Sequence, residues 1–311
     1  TTKTLEAIYN NLKCPIFIWA VDMFPITGGC FYFRNCKQFM ESCKQCPLIP
    51  SKKEKKLIHN NFEIKRNVYQ NIDYRIFGNT WMCNHFNKSP LLNKNKIQRG
   101  ILPINEKSFS NQTLEQSRKQ LGLSGDHFIM FAGAQGIKYA TKGFNYLVAA
   151  VNTFFRNITD KEKQNIIILI AGNDTDADIQ RFFDCRVIPL GFVASDKLPV
   201  VYSASDVFLS SSIEDAGPTM VNQALMTGTP VVAFEVGVAL DIVINDQTGY
   251  IAEYKNHTDF AFGINEIYNK NKDERKKMMQ CCRTIAMENY SLKAFAHSIA
   301  KAYDNHQVKK Q

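Results

Sequence analysis

Apolar residues in the second part of the chain come in short blocks, each closed by small residues. Phe128-Ile129-Met130-Phe131 runs into Ala132-Gly133, and Ile166-Ile167-Ile168-Leu169-Ile170 runs into Ala171-Gly172. Unbroken apolar runs of this length suit strands covered on both faces. Val187–Gly191, Val207–Ser210 and Pro230–Phe234 repeat the pattern. Between these blocks, Phe144, Leu147, Val148 and Val151 recur at helical spacing, and Leu198–Tyr202 and Pro218–Met226 read as shorter helices. Strand and helix alternate about five times, which predicts an α/β fold with a parallel sheet between helical layers. Residues 258–308 read as helices that close it.

The first part is less regular. Leu5, Ile8, Tyr9 and Leu12 mark a helix, Cys14–Ala20 a short buried strand, residues 51–71 a helix and Asp73–Gly78 a second strand. Trp81–Leu92 predicts a short helix, and Asp22–Pro50 is irregular and rich in Gly, Pro and Cys. Asn93–Asn105 is polar, carries Gly100 and Pro103, and reads as an interdomain linker. The expected division is a first lobe over 1–104, a second domain over 105–290, and a C-terminal helix or tail over 291–311.

Composition supports a folded chain: 45% of the 311 residues are hydrophobic and 22% charged. No apolar run approaches the roughly 18 residues that cross a bilayer. The net charge of +9 is unevenly placed, because residues 1–104 hold 16 basic and 6 acidic side chains and the remainder is nearly neutral. Lys52, Lys53, Lys55 and Lys56 are the densest run. Such a lobe attracts phosphates or an anionic membrane surface, although the run by itself also reads as a solvated face. Nucleic acid is not expected, because no aromatic platform interleaves with the basic residues.

In a doubly wound sheet, ligands bind beyond the carboxyl ends of the strands. Two of the loops there carry suggestive chemistry. Gly133-Ala134-Gln135-Gly136 leads to Lys138, Lys142 and Gly143 before a helix, a setting in which amides and ammonium groups can face a diphosphate, or simply a turn. Ser210-Ser211-Ser212-Ile213-Glu214-Asp215-Ala216-Gly217-Pro218-Thr219 follows a buried strand and opens a helix. Its carboxylates can accept hydrogen bonds from sugar hydroxyls or merely offset the helix dipole. Its amides favour phosphate, and Pro218 suits a first helical position.

Residues 128–252 resemble the nucleotide-sugar-binding half of a GT-B glycosyltransferase of family 4. The resemblance is carried by Phe131-Ala132-Gly133, Lys142-Gly143-Phe144, Ile170-Ala171-Gly172, Gly191-Phe192-Val193, Ala204–Leu209, Ser212–Asp215, Gly228-Thr229-Pro230-Val231-Val232, Gly237 and Thr248-Gly249-Tyr250. Residues 13–101 resemble a subgroup of that family through Val21–Tyr32, Trp81, Ser89 and Gly100-Ile101. The resemblance implies two Rossmann-like lobes and transfer of a sugar from a UDP- or GDP-linked donor to a saccharide or lipid-linked acceptor. It also implies retention of configuration and no metal requirement for catalysis. Lys142 would neutralise the diphosphate, with Gly133 and Lys138 beside it. Glu214 would bind the sugar, and Asp215, Ala216, Gly217, Pro218 and Thr219 would form the phosphate end. Asp22 is the acidic candidate on the acceptor side, with the plainer alternative that it caps the following turn. A cytoplasmic enzyme, peripheral at the inner membrane face, is the implied setting.

Four departures stand against the family pattern. Asn222 occupies the position of a second glutamate that contacts ribose. The arginine preceding the phosphate lysine is absent. Val21-Asp22 replaces a His-Asp pair. The chain opens without Met, and the first lobe is expected to be incomplete, roughly 80–120 residues short by domain-size arithmetic. A degenerate, non-catalytic binding protein is therefore the alternative.

Cys30, Cys36, Cys43 and Cys46 are spaced C-x5-C-x6-C-x2-C. Four thiolates so close in sequence can hold a structural zinc ion or remain free thiols, and two disulfides would need an oxidising compartment. The six histidines form no recognisable acid-base arrangement.

Overall fold

A computed structural model describes residues 2–110, 112–123, 127–217 and 219–308. The chain divides into two units. The first comprises residues 1–101 together with Glu214–Gly217, and the second comprises the rest.

In the first unit, α1 (Thr2–Leu12) precedes β1 (Ile16–Trp19). A long loop with two short 3-10 turns leads to α2 (Lys52–Asn71), and β2 (Tyr74–Gly78), α3 (Thr80–Phe86) and β3 (Ile97–Arg99) follow. Ser51 caps α2 by accepting from the Glu54 amide, and Asn79 caps α3 by accepting from Met82. The three strands form a parallel sheet in the order β1-β2-β3, with Ile76 opposite both Ile18 and Ile97. Phe62, Ile76 and Phe86 are fully buried, and Met23 and Ile26 bring the long loop into the same core.

The polar stretch expected to be a linker thus contributes an edge strand. Its three residues are too few and too polar to show an apolar pattern. What fixes it is the pairing with β2, extended by the Gly100 amide donating to the Gly78 carbonyl at 2.9 Å.

The second unit begins with α4 (Leu114–Gln120) and β4 (Phe128–Gly133), followed by α5 (Phe144–Arg156), α6 (Asp160–Lys163) and β5 (Ile166–Ala171). Then come β6 (Arg186–Gly191), α7 (Leu198–Ala204), β7 (Val207–Ser210), α8 (Thr219–Met226) and β8 (Val231–Phe234). α9 (Ala239–Ile242), β9 (Gly249–Ala252) and the helices α10 (His257–Tyr268), α11 (Lys272–Tyr290) and α12 (Leu292–Val308) complete it. The strands form one six-stranded sheet, all parallel, in the order β6-β5-β4-β7-β8-β9. Every residue of β5, β7 and β8 is buried, as their unbroken apolar runs require. The sixth strand, β9, went unread because Gly249 and Tyr250 interrupt any apolar run.

The opening turns of β4 and β7 are fastened together. Asp206, just before β7, accepts from Arg118 of α4 at 2.7 Å and from the Ile129 amide at 2.7 Å, while Arg118 also donates to the Ala204 carbonyl. Burial pushes the Asp206 carboxyl up, and the Arg118 charge opposes that shift. Removing one partner leaves the other charge buried. Arg118→Met is therefore expected to destabilise the second unit by about 3 kcal/mol, read as a lower urea midpoint with an unchanged slope. An Arg118→Met protein as stable as the parent would show that the pair holds nothing.

Candidate functional site

The sheet order creates one special place. The chain leaves β4 toward β5 and β6 on one side, then returns to β7 on the other side of β4. The loops after β4 and β7 therefore diverge and open a crevice at the carboxyl end of the sheet. These are the two loops that the sequence singled out.

Gly133 ends β4 half-buried. A methyl group there would come 3.0 Å from Cε of Met220, in the first turn of α8, so the end of β4 and the start of α8 are neighbours. Beyond it the loop is tied down by an aspartate that sequence reasoning missed. Asp174, after β5, accepts from the Ile137 amide at 2.8 Å and from the Lys138 amide at 2.7 Å. The Asn173 amide donates to the Gln135 carbonyl at 2.9 Å. Two amides of the expected diphosphate cradle are thus already engaged by a carboxylate. Lys138 itself is exposed. The only sequence signal for Asp174 was its place in a loop flanking the crevice.

Lys142 is half-buried at the end of a 3-10 turn, Ala140–Lys142, and Gly143 follows with φ 65° and ψ 34°. This turn is sewn to the loop after β7. Ser211 Oγ donates to the Lys142 carbonyl at 2.9 Å, and the Ile213 amide donates to the Thr141 carbonyl at 2.9 Å. Tyr254 OH donates to the Ile213 carbonyl at 3.1 Å and secures the far side of the same segment. The seam depends on Gly143. Its backbone is left-handed, and a Cβ there would overlap the Ser211 carbonyl oxygen.

Glu214–Gly217 pack with the first unit. The Glu214 carboxylate is 7% exposed and accepts from the Arg34 amide at 2.6 Å. Arg34 has φ 51°, in the left-handed region. Ala216 is fully buried in that unit's core, and Asn79 Nδ2 donates to its carbonyl. Asp215 Oδ1 accepts from the Gly217 amide at 3.2 Å, so this amide too has a carboxylate partner. Burial, aided by the charges of Asp215, Asp22 and Glu214, pushes the nearby Tyr32 hydroxyl up to about 12. Asp22 Oδ1 accepts from the Phe24 amide at 2.7 Å, which is the turn-capping role set beside its acidic one.

Pro218 lies outside the described residues. Thr219 opens α8. Asn222 is buried, its Nδ2 donating to the Leu102 carbonyl at 3.2 Å while its own carbonyl accepts from Tyr290 OH. The amide expected to meet a ribose hydroxyl is thus directed at the backbone in this structure.

The family model for glycosyl transferases group 1 matches residues 113–283, more than half of the chain and the whole of the crevice just described. The chain belongs to this family. An uncharacterized glycosyltransferase of Methanocaldococcus jannaschii is 28% identical over 160 residues, which is 48% of this chain and 38% of that relative's length. Among solved structures, Anabaena HepE in complex with UDP-glucose superposes with a TM-score of 0.69 at 14% identity, covering 98% of this chain and 77% of that one. Sucrose-phosphate synthase from Thermosynechococcus elongatus gives 0.65 at 18% identity over 84% of this chain and 65% of that one. These likenesses show the fold, the α/β GT-B arrangement of parallel sheets expected from the sequence.

In a group 1 glycosyltransferase sheet held in this way, Gly143→Ala should cost about 2 kcal/mol or more through strain and overlap. Gly191 is the control, since it is also left-handed at φ 64° but has open space where a Cβ would sit. If urea unfolding shows equal losses for Gly143→Ala and Gly191→Ala, the seam contributes nothing.

Proposed function

We propose that the chain takes part in transferring a sugar, with retention, from a nucleoside-diphosphate donor to a saccharide or lipid-linked acceptor. The observation that carries this reading is the seam joining the Lys142 turn to Ser211–Ile213 at the switch point of the sheet, with Gly133 against the first turn of α8. Sugar transfer from such a donor places developing negative charge on the departing diphosphate. In this proposal the Lys142 ammonium and the positive end of α8 receive that charge in advance, so that little reorganises as the bond breaks. Gly133 lets the donor approach the sheet closely, and Lys138 adds charge at the rim. Glu214 takes hydrogen bonds from the hydroxyls of the transferred sugar, and Ala216, Gly217 and Thr219 line the phosphate end. Asp22 serves the acceptor. Fixed charge does here what a bound metal does elsewhere. The crystal structures of Anabaena HepE with UDP and with UDP-glucose support a uridine donor by likeness.

The excess of basic side chains in residues 1–104 supports an acceptor presented at an anionic membrane surface, approached from the cytoplasm. Among the described residues no helix is long and apolar enough to cross a membrane, so attachment on this reading is peripheral.

A second reading, a chain that keeps the fold and has lost transfer, is favoured by one set of contacts. The amides of Ile137, Lys138 and Gly217 all donate to carboxylates of the protein itself, and Asn222 Nδ2 donates to backbone. Calorimetric titration with UDP and GDP separates the two. A donor site should bind one of them and lose roughly tenfold or more in affinity, about 1.4 kcal/mol, on Lys142→Ala. Glu214→Ala should weaken the nucleotide sugar more than the bare nucleotide. Absence of binding, or indifference to both substitutions, would leave the second reading standing.

A further inference from the structure

Glu214 is a buried carboxylate on a short excursion of the chain, and the groups that aim it lie far away in sequence. One of them sits in the loop between β1 and α2. That loop carries Cys30, Cys36, Cys43 and Cys46, the first two half-buried and the last two buried, and among the described residues no three Cys, His, Asp or Glu side chains stand in a metal-holding arrangement. Its course is set by packing, with Met23, Ile26 and Phe39 each no more than 2% exposed.

Within this loop the Cys36 amide donates to the Phe33 carbonyl at 2.9 Å and closes a turn. The first central residue of that turn is Arg34, at φ 51°. A positive φ in this place ordinarily selects glycine, so an arginine persists there only because its surroundings hold it. The holding is done through Phe33. Its ring lies 4.7 Å from that of Phe39, 4.9 Å from His85, and 6.0 Å from Trp81, to which it is nearly parallel. Trp81 and His85 stand one turn apart on α3, and His85 Nδ1 bonds with the Trp81 carbonyl at 2.8 Å. The turn is thus clamped onto α3. Its Arg34 amide donates to the Glu214 carboxylate at 2.6 Å, the short distance of a charge-assisted bond.

The same helix grips the segment a second time. Asn79 is 5% exposed and uses both ends of its side-chain amide. Oδ1 accepts from the Met82 amide at 2.9 Å and caps α3, while Nδ2 donates to the carbonyl of the fully buried Ala216. The helix start is itself seated tightly, because a Cβ at Gly78 would come 2.9 Å from Met82 and from Phe86. A glutamate side chain left to itself samples many rotamers. One bonded at its carboxylate, with its backbone anchored two residues on, is confined.

We infer that Asn79 and Arg34 are positioning residues for Glu214, with α3 as their common support. Asn79 acts through the Ala216 carbonyl. Arg34 acts through its backbone N–H, which the left-handed turn presents to the carboxylate, and the guanidinium is not required. The sugar hydroxyls that Glu214 would then meet in a fixed direction belong to the proposed function, on which this consequence rests; the holder itself does not.

Calorimetric titration of the full chain with UDP-glucose and with UDP reads the aim of Glu214 as a ratio. Arg34→Val disfavours the left-handed backbone, and Asn79→Asp keeps the helix cap but loses the donor. Each should weaken UDP-glucose about tenfold and UDP by less than about twofold. Arg34→Gly takes the turn readily and keeps the N–H, so it should restore the parent's preference. A purely structural role would lower the urea midpoint and leave the ratio where it was. Equal losses for the two ligands, or Arg34→Gly failing as Arg34→Val does, overturn the inference. A parent that binds neither ligand counts against the proposed function, and the holder is then read by NMR of the isotope-labelled chain, as it is if the variants fail to fold. The Arg34 amide proton should resonate downfield of the ordinary range and exchange slowly, and Glu214→Ala should move it upfield and speed its exchange. An Arg34 amide indifferent to Glu214→Ala overturns the holder.

Discussion

The parallel order β6-β5-β4-β7-β8-β9 is the constraint from which the rest of the second unit follows. Because β4 lies at the point where the winding reverses, the chain must leave the top of β4 and the top of β7 in opposite directions. The gap between them is a product of topology and needs no particular side chain. Particular side chains then decide what the gap becomes. At the base, Arg118 and Asp206 hold the two strands in register. At the top, Ser211 and Ile213 hold the Lys142 turn against the loop after β7. A lysine at the end of a flexible loop would spend most of its time in solvent. One whose own backbone carbonyl is a hydrogen-bond acceptor in the seam starts from a fixed origin.

A second regularity runs through both loops. In each of these loops a carboxylate of the chain meets backbone amides: Asp174 those of Ile137 and Lys138, and Asp215 that of Gly217. Convergent amides concentrate positive potential and need an acceptor. The sequence reading assigned that acceptor to a ligand. The fold supplies one internally for these three, Asp174 for Ile137 and Lys138 and Asp215 for Gly217.

Much of this architecture was legible beforehand, and the reasons are specific. β4, β5, β7 and β8 are buried on both faces, so their sequences are unbroken apolar runs that nothing else explains. The family 4 resemblance lies in the ends of those runs and the loops that join them, and the group 1 family match covers the same region. β3 and β9 escaped because edge position and short length relax the demand for apolar side chains: Ile97-Gln98-Arg99 carries one apolar residue, and β9 begins with glycine. Asp174 and the Arg34 amide escaped for another reason. One acts 37 residues from its partner and the other 180, and a backbone amide leaves no mark in a sequence. Asn222 stands where the resemblance implies a ribose-contacting glutamate, and the bonds it makes to the Leu102 carbonyl and from Tyr290 OH are tertiary and leave no mark in the sequence.

Glu214–Gly217 interrupt the second unit in sequence while belonging to the first in space. Ala216 fills a place in a core otherwise built from residues 5–97. During synthesis, then, the N-terminal sheet can form long before its interior is complete. The last piece arrives only after four strands of the other sheet have been made, so the first unit cannot finish maturing from its own N-terminal stretch alone. Evolutionary exchange of one half between relatives would have to carry this four-residue graft along with the half it serves.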